Sequence, residues 1–159
     1  MIKFSSMVNE ENSFRFKLGL DLHGVIDAMS QDFAFLTKAV IASGGEVHIL
    51  TGGSWSDELE TQVYSYGIQW THKFSVYDHL IEIGSKTTGE IQFPDGTVQK
   101  KFEDGVWDHV KADYCKQHGI SLHLDDTLAY NDFFETPFAR IWTHNNRPKA
   151  AHKDVRHMK

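Results

Sequence analysis

The sequence is short of cysteine, of long apolar runs and of net positive charge. The single cysteine, Cys115, excludes a disulfide within the chain. No apolar run is long enough to span a membrane, and the first residues lack the basic-then-apolar pattern of a signal peptide. Lys and Arg number 16 against 22 Asp and Glu, a net charge of −6, which argues against a nucleic-acid groove as the main purpose. We therefore expect a cytoplasmic protein in a reducing compartment that does not bind membranes.

The composition is that of an ordinary folded domain. The chain has 159 residues, of which 40% are hydrophobic and 13% aromatic, enough for one domain with a sizeable core. There is no internal repeat and no low-complexity linker. Basic residues are concentrated at the end, where five of them and one acid follow from Arg147 onward. We expect a single domain over residues 1–146 and an exposed basic tail over residues 147–159.

Predicted strands alternate with predicted helices along most of the chain. The strand patterns cover residues 13–22, 46–50, 70–77, 120–124 and 138–142, and the helical patterns cover residues 30–43, 54–66, 78–83, 106–118 and 127–135, with Ser30 and either Ser54 or Ser56 as caps. Such alternation predicts right-handed crossovers and a mostly parallel sheet covered on both faces. The fold class is therefore α/β, a Rossmann-like three-layer sandwich. Residues 90–99 alternate around Pro94-Asp95-Gly96, which predicts a hairpin within a small insertion at about residues 89–102.

Polar residues follow three of the predicted strands at the point where each strand ends. The first strand ends in Asp21, the second runs into Thr51-Gly52, and the fourth ends in Asp125-Asp126. The carboxyl ends of parallel strands share one edge of the sheet, where ligands bind in such folds. Carboxylates that approach closely must share a cation or a proton, and hard oxygen ligands favour Mg²⁺. The sequence therefore predicts a Mg²⁺ site at this edge, with a phosphate completing the charge balance.

Asp21-Leu22-His23-Gly24-Val25 follows an apolar strand and resembles the first motif of the haloacid-dehalogenase-like (HAD) hydrolase superfamily. That motif is an apolar strand followed by Asp-x-Asp-Gly-(Thr/Val), and most members of the superfamily are phosphatases with an aspartate nucleophile. The resemblance extends in the family's order through four motifs and covers residues 18–126. It implies a Mg²⁺-dependent phosphohydrolase that acts on a phosphorylated substrate through an aspartyl-phosphate intermediate.

The resemblance also assigns roles to individual residues. Asp21 corresponds to the nucleophile, which also binds the metal. The Thr51 hydroxyl and the Gly52 amide correspond to the groups that hold the phosphoryl. Lys111 corresponds to the lysine that neutralises the phosphoaspartate. Its rivals in the sequence are three other lysines, Lys86, Lys100 and Lys101.

The acidic pair of the fourth motif corresponds to Asp125 and Asp126, both of them metal ligands in this resemblance, with Asp126 favoured as the closer one. Asp27 is expected to shape the loop after the first strand. The other histidines that the sequence singles out, His109, His118 and His123 with those of the tail, have no tight metal spacing and are expected to be ordinary surface or packed residues.

His23 stands where the family has a second aspartate. That aspartate offers its backbone carbonyl to the metal, a role that His23 retains, and its carboxyl protonates the leaving group and then activates water. An imidazole, with an ordinary pKa of about 6.5, suits the same acid–base work near neutrality. Two alternatives stay open. Either His23 replaces the acid, or turnover falls by the roughly 10²–10⁴-fold that acid–base help supplies, leaving a degenerate protein that binds phosphate or a partner.

The sequence has no room for the large cap domain that many HAD enzymes carry. Residues 27–46 hold one helix, and the next interval holds little beyond the predicted hairpin. By analogy with the family, a nearly capless site implies a bulky substrate or closure by oligomerisation, with the hairpin as a partial lid or dimer contact. The basic tail and the open site also suggest a second alternative, a nucleic-acid end phosphatase.

Overall fold

The computed structural model describes residues 15–93 and 96–142, which form an α/β fold around one parallel sheet. The strands are β1 Lys17–Asp21, β2 Glu46–Thr51, β3 His72–Ser75, β4 Thr87–Gln92, β5 Val98–Phe102, β6 Leu122–Asp125 and β7 Phe138–Arg140. Five of them make up this sheet in the order β3-β2-β1-β6-β7, and every neighbouring pair runs parallel. The expected α/β class with a parallel sheet flanked by helices is confirmed, and the architecture is compatible with a Rossmann-like fold.

Helices connect the strands at the places where helical periodicity predicts them. They are α1 Ser30–Ala42, α2 Asp57–Ser65, α3 Val76–Glu82, α4 Val110–His118 and a short 3₁₀ helix, Leu128–Phe133. Ser56 caps α2, its hydroxyl accepting from the Leu59 amide at 3.2 Å, as one of the two predicted caps. The predicted cap of α1 is wrong, because Ser30 is already helical and the cap position, Met29, makes no side-chain hydrogen bond.

Alternation along the strands divides the core into two faces. On one face, Leu20 and Ile49 pack with Phe33 of α1 and Val63 of α2. On the other face, Leu50 packs against residues of α4 and the turn after it, Tyr114, Cys115 and Ile120. Every second residue of a strand therefore points toward α4. This alternation determines which polar side chains of the strands can contact that helix.

The predicted hairpin is present and lies outside the main sheet. Its strands, β4 Thr87–Gln92 and β5 Val98–Phe102, pair antiparallel with each other. Phe102 anchors the hairpin by packing with Val76, Leu80 and Val110, and the Lys100 amide donates to the Tyr77 hydroxyl at 3.1 Å. The hairpin is thus attached to α3 and α4 on the side of the molecule where the strands end.

Some expectations fall on residues that the structure does not describe. The basic tail at residues 147–159 and two residues of the hairpin turn, Pro94 and Asp95, lie outside the described ranges. The division of the chain at residue 146 stays a prediction. Within residues 15–93 and 96–142, none of the helices has the length and apolarity needed to cross a membrane.

Candidate active site

A buried lysine joins the ends of two neighbouring strands. Asp21 ends β1 and Asp125 ends β6, and Lys111 of α4 reaches both of them. Its Nζ donates to Asp21 Oδ1 and to Asp125 Oδ2, each at 2.7 Å. All three residues are buried. The structure therefore brings together three of the residues that the sequence predicted for one site.

The position of Lys111 on the buried face of α4 explains why it makes these contacts. Lys111, Tyr114 and Cys115 are buried and lie three and four residues apart, so they share the stripe of α4 that faces the sheet. The first turn of this stripe lies over the ends of β1 and β6. Two rival lysines are engaged elsewhere: Lys86 pairs with Glu103, and Lys100 pairs with Glu90 at 2.8 Å.

Burial and the neighbouring charges shift the pKa values of this triad, Asp21, Lys111 and Asp125, in opposite directions. Burial raises the pKa of Asp21 to about 6, although the Lys111 ammonium opposes the rise. Burial alone would lower the pKa of Lys111, but the two carboxylates outweigh it and raise that pKa. Burial would likewise raise the pKa of Asp125, yet hydrogen bonds from His123 and Lys111 hold it well below its usual value. The ammonium is thus charged, and two carboxyl groups contact this one cation.

Three carboxylates at this edge have the arrangement of a cation site. Oxygen atoms of Asp21, Asp125 and Asp126 all lie within 4.8 Å of one another, a span that one divalent ion with oxygen ligands can bridge. Both oxygens of Asp125 already accept from the protein, since Oδ1 takes the Thr127 amide at 2.8 Å and Oδ2 takes Lys111. These contacts assign Asp125 to holding Lys111 and the following turn, which favours Asp126 as the closer metal ligand.

Gly24 allows the loop after β1 to pack against this acidic group. Its backbone is left-handed, with φ of +79°, and a Cβ atom there would lie 2.2 Å from Asp126 Oδ2. A side chain at this position would therefore strain the backbone and displace a carboxylate of the site. Gly24 therefore has a direct steric reason in this fold.

The Thr51 hydroxyl is wholly buried and has no hydrogen-bond partner among the described residues. Buried polar atoms are nearly always paired, so the unpaired hydroxyl at the end of β2 can donate to the oxygen of a ligand. The following loop is held in place, since the Ser75 hydroxyl donates to the Gly53 carbonyl at 2.8 Å and the Tyr77 amide donates to the Gly52 carbonyl at 3.2 Å. Sequence analysis had placed Thr51 and Gly52 at this edge.

His23 lies at the rim of the site. It is extended (φ −81°, ψ 130°) within the irregular turn Leu22–Ile26, and its side chain is 64% exposed. Asp27 holds it: Oδ2 lies 3.3 Å from His23 Nδ1, while Oδ1 accepts the Gly24 amide at 2.7 Å. Asp27 therefore shapes the loop, as expected, and also orients His23. This second role was not predicted, although the spacing of four residues between His23 and Asp27 was a signal for it.

A cleft of about 1180 Å³ opens beside these residues. One wall is formed by the loop after β2 together with α2, and the other by the hairpin and the segment that follows it. Residues from both walls and from the rim line it, among them His23, Thr51, Gly52, Ile91, Phe93 and Trp107. The hairpin therefore stands over the site as a partial wall, and a substrate group entering the cleft would contact its apolar side chains.

Two further residues support the triad and were not predicted to do so. His123 is wholly buried, stacks on Phe134 at 5.0 Å between ring centroids, and places Nε2 3.3 Å from Asp125 Oδ2. Tyr130 lies with its ring centroid 5.3 Å from Lys111 Nζ. The spacing of two residues between His123 and Asp125 on one strand was the available signal for the first of these contacts.

No protein-family model matches the chain, and no curated protein matches it either. The resemblance of residues 18–126 to the HAD-like hydrolases therefore stays a prediction from the sequence. Any functional conclusion depends on the residues and the geometry of the site itself.

Proposed function

We propose that the protein is a Mg²⁺-dependent phosphohydrolase of the HAD type, with Asp21 as the nucleophile. The observation that carries this proposal is the buried arrangement of Asp21, Lys111 and Asp125 where two neighbouring parallel strands end. A buried ion pair is weak evidence for a stabilising role, because desolvation offsets much of its attraction. Buried charged groups beside a cleft are typical of functional sites.

The residues present fit a bound Mg²⁺ ion. Asp21 and Asp126 would hold it, together with the backbone carbonyl of His23, while Asp125 would position Lys111. The excess of carboxylates over the one ammonium supports this fit, and the unpaired Thr51 hydroxyl supports a phosphoryl oxygen beside the ion. When bound, the ion would neutralise the phosphoryl oxygens and orient the phosphoryl group for attack.

The chain's own residues account for both chemical steps. A carboxylate oxygen of Asp21 attacks phosphorus while the bond to the leaving oxygen breaks, and the imidazolium of His23 gives that oxygen a proton. Lys111 and the Thr51 hydroxyl stabilise the charge on the transferring group. Water then attacks the phosphorus of the aspartyl-phosphate and gives its proton to neutral His23. The bond to Asp21 breaks, which releases inorganic phosphate and regenerates both side chains.

The contact between Asp27 and His23 supports turnover over the degenerate alternative. A histidine that acts as an acid and base needs a partner that fixes its orientation and tautomer, and a carboxylate commonly supplies this. In the degenerate alternative the same groups bind phosphate, but His23 does not act as an acid and base. The nucleic-acid alternative depends on residues 147–159, which lie outside the described ranges, and no described contact favours it.

The test is phosphate release from an aryl phosphate, with and without EDTA. Asp21→Asn should reduce the Mg²⁺-dependent rate to background, because the amide cannot act as the nucleophile. Thr51→Val, which keeps the side-chain shape, should lower the rate while the protein stays folded. Asp113→Asn is the matched control, since Asp113 is an exposed acid that contacts His109 away from the site.

A folded protein that releases no more phosphate than its Asp21→Asn variant would contradict the proposed turnover. Calorimetry with inorganic phosphate and Mg²⁺ then separates the remaining cases. Binding that Thr51→Val weakens would support the degenerate protein, and an absence of binding would exclude both functions.

A further inference from the structure

A second group of potential metal ligands lies on the α4 face of the sheet, toward the opposite end of the strands. It consists of Glu46 and His48 of β2 and His72 of β3. We propose that these three residues form a transition-metal site, with imidazole and carboxylate donors of the kind that bind Zn²⁺. The proposal is independent of the proposed phosphohydrolase activity, because it concerns different side chains and is tested by binding.

The sheet itself brings the three ligands together. Glu46 and His48 are two residues apart on one strand and therefore project from the same face. The parallel register places His48 opposite His72 on the neighbouring strand. One donor atom from each of the three residues lies within 4.8 Å of the others, and the two imidazole rings stack with centroids 4.2 Å apart. The two adjacent strands therefore fix the backbone positions of all three donors.

The environment of His48 is that of a supported metal ligand. The residue is only 1% exposed, and its Nδ1 lies 2.9 Å from the Tyr114 hydroxyl. Its other nitrogen, Nε2, faces Glu46 Oε2 at 3.2 Å. A ligating histidine commonly makes a hydrogen bond through its second nitrogen, which fixes the tautomer and the ring orientation. Tyr114 is placed to accept that bond from Nδ1, leaving Nε2 to bind the ion.

The plainer interpretation is an ordinary ion pair at the start of β2. Glu46 also contacts Lys17, whose Nζ lies 3.2 Å from Oε2 and is partly exposed on a flexible stem. An ion pair accounts for Glu46, Lys17 and His48 but gives no reason for the approach of His72 to the same carboxylate. Metal binding accounts for all three donors and for the Tyr114 contact. The lone pairs of two stacked imidazoles run parallel, so on binding the exposed His72 ring would turn toward the ion while the Lys17 ammonium moves aside.

The direct test is a calorimetric titration of the chelator-treated full chain with Zn²⁺, with Mg²⁺ in excess to occupy the carboxylate site. The wild type should bind one Zn²⁺ at the proposed site, and His72→Ala should lose that binding. His72 is exposed, so its removal spares the core. His109→Ala is the matched control, because His109 is partly exposed and pairs with Asp113. The other histidines of the chain are present in both variants, so any Zn²⁺ that they bind contributes equally to the two titrations.

Tyr114→Phe tests the support of His48 without removing a ligand. The phenyl ring preserves the packing of Tyr114, while loss of the hydroxyl should weaken Zn²⁺ binding by about 10-fold or more. Co²⁺ in place of Zn²⁺ should give the visible absorption of a four-coordinate nitrogen and oxygen site in the wild type and none in His72→Ala. A Zn²⁺ isotherm that is the same for wild type, His72→Ala and His109→Ala would overturn the proposal.

Discussion

At the scale of single residues, Lys111 connects the ends of two strands through one ammonium group. Its two hydrogen bonds go to Asp21 and Asp125, which would otherwise repel each other in a buried environment. In the proposed reaction, the same ammonium would neutralise charge on the phosphoryl group that Asp21 receives. One side chain would thus keep two carboxylates together and assist the reaction.

Asp27→Asn tests whether Asp27 acts through His23. The asparagine oxygen can still accept a hydrogen bond from the Gly24 amide, so the loop should keep its shape, but the amide nitrogen cannot accept a hydrogen bond from His23 Nδ1. We expect kcat on an alkyl phosphate to fall by about 10-fold or more, with the roughly 10²–10⁴-fold contribution of acid–base catalysis as the upper bound. A good aryl leaving group needs less protonation and should show a smaller loss. Equal losses on both substrates would indicate a structural role only.

Gly24→Ala tests the packing of the loop against Asp126. A Cβ atom at this position would lie 2.2 Å from Asp126 Oδ2, and the backbone φ of +79° is unfavourable for alanine. We expect the apparent Mg²⁺ affinity in the phosphatase assay to fall by about 10-fold or more, as for other disturbed ligand environments. Gly84→Ala is the control, since φ there is also positive, at +69°, but no atom lies within 4 Å of the added Cβ. The same Mg²⁺ affinity in both variants would rule out the steric effect.

At the scale of elements, α4 links the two ends of the sheet. Lys111 in its first turn contacts the candidate active site, and Tyr114, one turn later, contacts His48 of the proposed Zn²⁺ site. His118 at its end stacks on Tyr114 with ring centroids 4.1 Å apart. These positions follow the helical repeat, so one stripe of a short helix serves both groups of side chains.

The hairpin is the element that gives the cleft its apolar wall. Phe93 lines the cleft and is 40% exposed, so an aromatic leaving group could pack against it. Phe93→Ala should raise KM for an aryl phosphate by about 2–10-fold, the equivalent of roughly 0.5–1.5 kcal/mol for an aromatic pair, with kcat almost unchanged. Val98→Ala, at a more exposed hairpin position outside the cleft lining, should leave both constants unaltered. A fall in kcat with constant KM would contradict this role.

At the scale of the whole molecule, the sheet separates two cores, and Cys115 is fully buried in the one beneath α4. Burial raises the pKa of the Cys115 thiol to about 12. The folded state therefore disfavours the thiolate more than the unfolded state does. The resulting stability is complete below about pH 8.5, the ordinary thiol pKa, and is lost as the pH rises toward 12.

We therefore expect the free energy of unfolding to decrease above about pH 8.5, with a contribution of about 1.4 kcal/mol per pH unit from this one thiol. Urea titrations under reducing conditions at several alkaline pH values measure the slope. Cys115→Ala should have a shallower slope, though not a flat one, because burial also raises the pKa of Tyr114 to about 12. A variant with the wild-type slope would show that the thiol does not contribute.

The sequence determined the elements and the candidate residues at their ends. Apolar runs and helical repeats are local properties, so the strands that end in Asp21, Thr51 and Asp125 could be assigned without a structure. The parallel arrangement followed from the alternation of strands with helices, and it implied that these ends share one edge. The hairpin was visible for the same reason, as local alternation around a turn.

Only the tertiary structure decided which side chains meet across elements. It selected Lys111 from four lysines, joined Asp27 to His23, and set His48 opposite His72, which lies 24 residues further along the chain. Local patterns determine which face of a helix or strand is buried. They do not determine which residues of other elements that face contacts. Strand register and the docking of α4 depend on packing the whole core at once, and the two proposed sites are consequences of that packing.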